Sequence, residues 1–358
     1  MSADRPDYRV LRDRLWHAVL DADEYTASAV VFAALDAGVD PEDVLLSVIA
    51  EVQRRVGTEW AANRITVAQE HAATAINDRV IAALAHHPRC RRDPSAGRVT
   101  VACVDGEWHA LPARLLGEVL RLRGWQVDFL GAQVPTPHLI AHVHQHGPVA
   151  VALSCSIPTR LPTAHAAITA CQAAGVPVLA GGAAFGVDGR FARQLGADAW
   201  GADARTAAEI LSRGVRPASA ATTHQPIDDL PHLADGEYTM VRGDSATLIK
   251  TTVTDLEDRY PAMRGYTDAQ RDRTVEDIAH IVEFLATALY VDDDELFIQF
   301  IGWTAEILIA RGVPADSLSP ALDSLSGQLR DFPRARRLLG AAHAALPQSV
   351  SANPPMPA

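Results

Sequence analysis

The chain has 358 residues, 48% of them hydrophobic, and a formal net charge of −12. That length predicts two or three domains, each large enough to bury a core. The acidic balance excludes a general binder of nucleic-acid backbones, whose affinity comes from clustered Lys and Arg. The first residues, MSADRPDYRVLRDRL, lack the apolar core of a secretion signal, and no run reaches the roughly 18 apolar residues of a membrane span. The four cysteines, Cys90, Cys103, Cys155 and Cys171, show no CxxC spacing. Reduced, packed thiols in a cytoplasmic protein are expected.

Residues 5–88 read as a four-helix bundle. Apolar residues recur at helical spacing in Tyr8-Leu11-Leu15-Val19 and in Ala27-Val30-Val31-Ala34-Leu35. Gly38 stops the second helix and Pro41 starts the third, following the asymmetry of Gly at helix ends and Pro at helix starts. The third helix, 41–61, carries Val44, Leu45, Val48, Ile49 and Val52 on one face. The fourth, 66–86, carries Ala72, Ala73, Ile76, Val80, Ile81 and Leu84. Short connections favour antiparallel packing. Residues 89–97, RCRRDPSAG, read as a polar, solvated connector.

Residues 98–214 alternate strand and helix. Strands are predicted at 99–104, 126–130, 149–154, 176–180 and 197–200, with helices at 111–123, 136–146, 163–174, 189–195 and 204–212. Such alternation implies a Rossmann-like, doubly wound parallel sheet. Residues 215–232 read as a linker. Residues 233–346 read as a second all-helical domain, with helices at 245–259, 268–290, 293–311, 314–331 and 334–346. The tail, 347–358, is expected to be disordered.

Candidate chemistry gathers at the carboxyl ends of the predicted strands, where open α/β sheets bind ligands. Glu107 and His109 follow the first strand, Ser154 and Ser156 end the third, and Gly181-Gly182 follow the fourth. A loop histidine ligates metals through a neutral ring nitrogen, and a nearby carboxylate orients it. Paired glycines let a backbone approach a large flat ligand. A second group, Trp60 with Glu70-His71, lies in the bundle. Other features carry less. His142, His144 and His146 alternate along a helix and are not expected to share a face. His165 and His343 have no evident partners. Gly181-Gly182 with Gly186 is not a dinucleotide fingerprint.

The spacing around His109 resembles the cobalamin-binding domain that holds B12 with a histidine on cobalt. That pattern is Asp/Glu-x-His-x-x-Gly, then Ser-x-Leu/Thr, then Gly-Gly. Glu107, His109, Ser154, Gly181 and Gly182 match it. Pro112 stands at the glycine position and Ser156 at the Leu/Thr position. The resemblance implies that His109 is the lower axial ligand of cobalt, with Ser154 and the glycines lining a channel for the nucleotide tail. Trp60, Glu70 and His71 resemble the Trp-x9-Glu-His signature of CarH-type adenosylcobalamin photoreceptors, which share the order of bundle then cobalamin domain. By that resemblance Trp60 caps the upper face of the corrin, and Glu70 and His71 contact the 5′-deoxyadenosyl group. Ala61 stands where those proteins carry the histidine that ligates cobalt after illumination, leaving His71 as the nearest substitute. They also carry an N-terminal DNA-binding domain, which is not expected here.

The helical region 233–346 extends the resemblance to photocobilins, which pair a B12 core with a globin-like domain holding biliverdin. Tyr260, Arg264, Tyr266, His280 and Trp303 are candidate bilin contacts, since arginines and aromatics suit a conjugated ligand with propionates. All four cysteines precede residue 172, so a thioether-linked bilin there is not expected. The implied function is a light sensor, not an enzyme, carrying adenosylcobalamin and biliverdin. A possible homo-oligomer, a separate effector protein, no direct DNA binding and no membrane contact complete that expectation. The alternatives are a corrinoid methyl carrier of a methyltransferase system and a cofactor-free scaffold. The Trp60, Glu70 and His71 cap argues against a methyl carrier, which needs an open upper face.

Overall fold

The computed structural model describes residues 8–216 and 229–346. They belong to two compact units, one ending at Asp229 and one beginning at Leu230. The first residues of the expected bundle (5–7), most of the linker (217–228) and the tail (347–358) lie outside the described residues.

In the first unit the expected bundle is present: helices Arg9–Leu20 and Glu24–Asp36, a long helix over residues 41–61, and Val67–Leu84. Local chemistry sets their starts. The Asp23 carboxylate accepts from the Thr26 N–H, Asp40 accepts from Glu42, and Thr66 with Gln69 forms a reciprocal capping box. Val44–Ile49 of the long helix widen into a π-helical stretch. Arg12 Nε donates to the Ser47 carbonyl there at 2.6 Å.

The connector after the bundle is solvated over residues 91–97, as expected, but its first two residues are tied down. Arg89 donates to the carbonyls of Leu35, Gly38 and Val39 at the end of helix Glu24–Asp36, and Cys90 is buried. A guanidinium fork satisfies carbonyls that a helix end leaves unpaired, and composition does not reveal such a long-range pairing.

The α/β part is a parallel five-stranded sheet of order β2-β1-β3-β4-β5. Its strands are β1 Arg98–Cys103, β2 Gln126–Gly131, β3 Ala150–Ser154, β4 Val178–Gly181 and β5 Ala199–Gly201. β3 is buried throughout and β1 from Val99 onward, as strands covered on both faces must be. Strand order reverses between β1 and β3, so the loops after them diverge and open a crevice. In register, Cys103 pairs with Ser154, Ser154 with Gly181 and Gly181 with Gly201, one row along the carboxyl edge.

Bundle and sheet share one core. Leu15, Val48, Val80 and Ile81 belong to the same apolar cluster as Leu111, Leu115 and Val119 of helix Leu111–Leu122. Charge reinforces this junction. Arg123 donates to both Glu42 oxygens at 2.9 Å, and Arg205 donates to Glu42 at 2.8 Å and Asp43 at 2.6 Å. Burial pushes the Glu42 carboxyl up, but its bonds to Arg123 and Arg205 outweigh that and hold it below its ordinary value.

The second unit is helical: Glu237–Gly243, Ser245–Arg259, Asp268–Val291, Asp294–Ala310, Ser319–Gln328 and Pro333–Ala345. Glu237–Gly243 escapes the sequence pattern because seven residues are too few to show a period. It matters because buried Glu237 accepts from the Arg334 and Ala335 N–H groups at 3.0 and 2.8 Å. It thereby caps helix Pro333–Ala345 from a distance. The helix expected over 314–331 is a 3-10 turn, Ala315–Leu318, followed by Ser319–Gln328. Among the described residues no helix is long and apolar enough to cross a membrane.

Glu42→Ala leaves Arg123 and Arg205 without their shared acceptor. It is expected to lower unfolding stability by about 1–3 kcal/mol in urea titrations at neutral pH. Because the native carboxyl is held below its ordinary value of 4.5, the difference between wild type and variant is full above that pH. It shrinks as pH falls through the native value.

Candidate functional site

The site forms where the sheet order reverses. Glu107, in the loop after β1, is fully buried. Its Oε1 accepts from the His109 N–H at 2.8 Å and from His109 Nδ1 at 2.7 Å. Its Oε2 accepts from the backbone N–H groups of Ser156 at 2.6 Å and Ile157 at 3.0 Å, after β3. One carboxylate therefore ties the two diverging loops together and orients the imidazole. Burial pushes Glu107 up, but the hydrogen bonds from the His109 ring and from the backbone of His109, Ser156 and Ile157 bring it down to about 2.

With Nδ1 engaged by Glu107, the second ring nitrogen of His109, Nε2, faces away from the carboxylate on a side chain 59% exposed. The bond to Glu107 raises the His109 pKa, burial opposes it, and the charge of Glu70 adds to the rise. Glu70 belongs to bundle helix Val67–Leu84, so the bundle stands within electrostatic reach of this imidazole. A histidine with one nitrogen held by a carboxylate and the other free is the arrangement that presents a neutral imidazole to a metal.

Beside it lies a slot of about 140 Å³ lined by Pro112, Leu116, Ser154, Gly181, Gly182 and Asp203, among others. Gly182 has φ +104°, and a Cβ there would lie 2.3 Å from the Cys155 carbonyl oxygen. A Cβ on Gly201 would meet Ala207 at 2.8 Å. No side chain larger than hydrogen fits at either position, so the backbone walls of the slot stay bare. Carboxylate-held imidazole and glycine-walled slot together fit a corrinoid with a nucleotide tail.

The structure brings together Glu107 and His109, and Ser154 with Gly181 and Gly182. Ser156 contributes its backbone N–H to Glu107. Pro112 does not disturb the first helical turn: helix Leu111–Leu122 starts with the proline in its first turn, where a missing N–H costs nothing. In the bundle, Glu70 and His71 adjoin, Oε2 to Nδ1 at 2.6 Å, and Trp60 is half-buried against the bundle core. Sequence reasoning missed Gly201 and Asp203; their signal was a glycine ending β5 just before a capped helix. Burial pushes the Cys103 thiol up to about 12 and Cys155 well above its ordinary value, so both stay protonated.

Three histidine expectations need correction. His142 and His146 do share a face, their rings stacked with centroids 4.0 Å apart, because four residues make about one helical turn. His165 is buried and meets Asp229 at 3.1 Å, and His343 lies 3.6 Å from Asp323. Both partners are far off in sequence. Of the second unit's candidates, Tyr260 and Tyr266 pack on Leu256, Met263 and Ile278. Trp303 flanks Phe300, which stacks on Phe284 at 3.7 Å. Arg264 and His280 are exposed.

The chain matches the B12 binding domain family twice, over residues 97–210 and, by a second family of the same description, over residues 11–85. It is 30% identical over 186 residues to the HTH-type transcriptional repressor CarA of Myxococcus xanthus, covering 50% of this chain and 60% of that repressor. It thus spans less than two thirds of the repressor's length. It is 25% identical over 196 residues to the trimethylamine corrinoid protein of Methanosarcina barkeri, covering 53% of this chain and 89% of that protein. The solved structure of the Methanosarcina barkeri monomethylamine corrinoid protein shares the fold, with a TM-score of 0.51 at 20% identity over 58% of this chain and 99% of that one.

Glu107→Gln leaves an amide NH₂ facing backbone donors. We expect about 2–4 kcal/mol loss of stability for the apoprotein in urea at pH 7. The wild-type contribution is complete above the ordinary pKa of 4.5 and is lost as pH falls toward about 2, so the two stability curves converge in that window.

Proposed function

On the premise of a cobalamin-binding core built by residues 11–85 and 97–210, we propose that this chain is a light sensor. The cofactor is adenosylcobalamin, with His109 Nε2 as lower axial ligand. When bound, that cofactor supplies a cobalt–carbon bond that visible light cleaves. Glu107 holds the imidazole so that Nε2 meets cobalt, and the glycine-walled slot receives the nucleotide tail. Trp60 covers the upper face and excludes water, while Glu70 and His71 hold the adenosyl group. Glu70 and His71 would be the bundle's polar contacts to that group, and a change in bundle or subunit contacts on its loss would pass to a separate effector protein. No catalytic role is assigned. The observation that carries this reading is the bundle's own side chains: Glu70 and His71 adjoin, Oε2 to Nδ1 at 2.6 Å, on a helix of the same bundle whose core holds Trp60 half-buried.

The second unit is proposed to hold biliverdin non-covalently in a globin-like helical fold. Tyr260, Arg264, Tyr266, His280 and Trp303 are the contacts. The aromatic row of Phe284, Phe300 and Trp303 supports this.

A second reading, a corrinoid methyl carrier, is favoured by the match to a trimethylamine corrinoid protein over 89% of its length. The two readings differ at the upper face. A methyl carrier leaves it open to donor and acceptor, whereas Trp60, Glu70 and His71 furnish it with an aromatic and two polar side chains.

Protein loaded with adenosylcobalamin in darkness is expected to change its absorption spectrum on illumination, and biliverdin to add a separate long-wavelength band. Glu107→Gln is expected to weaken cobalamin binding about 10–100-fold, as loss of an orienting partner does at metal sites. His109→Ala should remove the histidine-ligated spectrum. An unchanged spectrum on illumination, together with methyl transfer from methylcobalamin to an acceptor enzyme, would establish the carrier reading instead.

A further inference from the structure

Beneath Glu70 runs a half-buried chain of polar side chains that packing alone does not require. Thr74 Oγ1 donates to Glu70 Oε1 at 2.9 Å, Gln53 Nε2 donates to Thr74 Oγ1 at 2.7 Å, and Asn77 Nδ2 donates to Gln53 Oε1 at 2.8 Å. Asn77 is fully buried, and its own Oδ1 has no hydrogen-bond partner among the described residues.

The direction of the chain follows from its far end. A carboxylate has no proton to give, so the Thr74 hydroxyl must donate to Glu70. Having spent its one proton, the Thr74 oxygen must accept, so the Gln53 amide presents NH₂ to it. That leaves Gln53 Oε1 facing Asn77, which must present NH₂ in turn. Every bond points its donor at Glu70, and successive bonds in such a row polarise one another. The cost falls at the origin, where Asn77 Oδ1 is left unmet, a penalty that an apolar residue of similar shape would avoid.

The chain also links the two bundle helices of interest. Glu70, Thr74 and Asn77 lie on successive turns of Val67–Leu84. Gln53 comes from the facing long helix, two turns before Trp60. His71 Nδ1 lies 2.6 Å from the other Glu70 oxygen, but its hydrogen bond runs to the Val67 carbonyl at 2.9 Å, so the Thr74 hydroxyl supplies the hydrogen bond that orients Glu70.

We propose that Gln53, Thr74 and Asn77 are positioning residues. They form a one-way hydrogen-bond chain that sets the Glu70 carboxylate and thereby the preference for an upper ligand bearing hydroxyl and amino groups, such as adenosyl, over methyl. The inference rests on the adenosylcobalamin reading above and adds the residues that determine specificity within it. Thr74 and Gln53 act through Glu70 and need not touch the ligand.

The test compares two ligands in darkness, adenosylcobalamin and methylcobalamin, by equilibrium binding to the full chain. Thr74→Val keeps the shape and removes the donor. It is expected to weaken adenosylcobalamin about tenfold, the loss of one hydrogen bond to a charged group, and to leave methylcobalamin unchanged. Thr74→Ser should restore the preference. Gln53→Met, which breaks the next link from the other helix, should reproduce the loss. In a Glu70→Gln background, Thr74→Val should add nothing. Thermal unfolding of the apoprotein variants identifies any that fail to fold. Equal losses for both ligands, or an unchanged preference in Thr74→Val and Gln53→Met, would overturn the positioning role. A wild-type chain that prefers neither ligand would instead overturn the adenosylcobalamin reading, and the positioning role with it.

Discussion

The buried carboxylate of Glu107 is the constraint on which the cofactor site depends. A fully buried charge is tolerable only when its lone pairs are met, and here four donors meet them: the ring and backbone of His109 and the backbones of Ser156 and Ile157. Those donors come from loops that follow β1 and β3, neighbours in the sheet whose connections run to opposite sides. Meeting the needs of one side chain therefore sets the distance between the loops, the tautomer of the imidazole and the direction of Nε2. The same hydrogen bonds that make the charge bearable make the histidine a directed ligand.

The bundle side is built by a different logic. The bundle is joined to the sheet by a continuous apolar core and by the Arg123 and Arg205 contacts to Glu42 and Asp43. Those contacts fix where helix Val67–Leu84 sits relative to the crevice, and so where Glu70 and His71 stand. Apolar area supplies most of the attachment, since burial scales with area and has no direction. The guanidinium contacts supply the register that area cannot.

Much of this was legible in the chain. Helical and strand periods, with Gly and Pro at the stops and starts, placed the bundle, the five strands and most helices to within a few residues. The short motifs placed Glu107, His109, Ser154, Gly181 and Gly182 on one sheet edge, because in a parallel sheet every such loop leaves at the same end. Asp23, Thr66 and Thr267 announce their helices because a cap bonds to a backbone N–H only three residues on.

What tertiary structure alone decided are the pairings between residues far apart in sequence. Arg89 reaches the carbonyls of Leu35, Gly38 and Val39; Glu237 caps a helix nearly a hundred residues later; His165 finds Asp229; and Gln53 joins Thr74 and Asn77 across the bundle. No periodicity or motif encodes these, since each depends on how two elements pack, and packing is settled by the whole core at once. The chain by itself determined which residues could stand at the crevice. The fold decided that Ser156 serves through its backbone N–H, that Pro112 is harmless in the first turn of its helix, and that the charge of Glu70 bears on His109. The physical reason is the same in each case: local bonds are written in nearby residues, whereas a site between layers exists only after the layers meet.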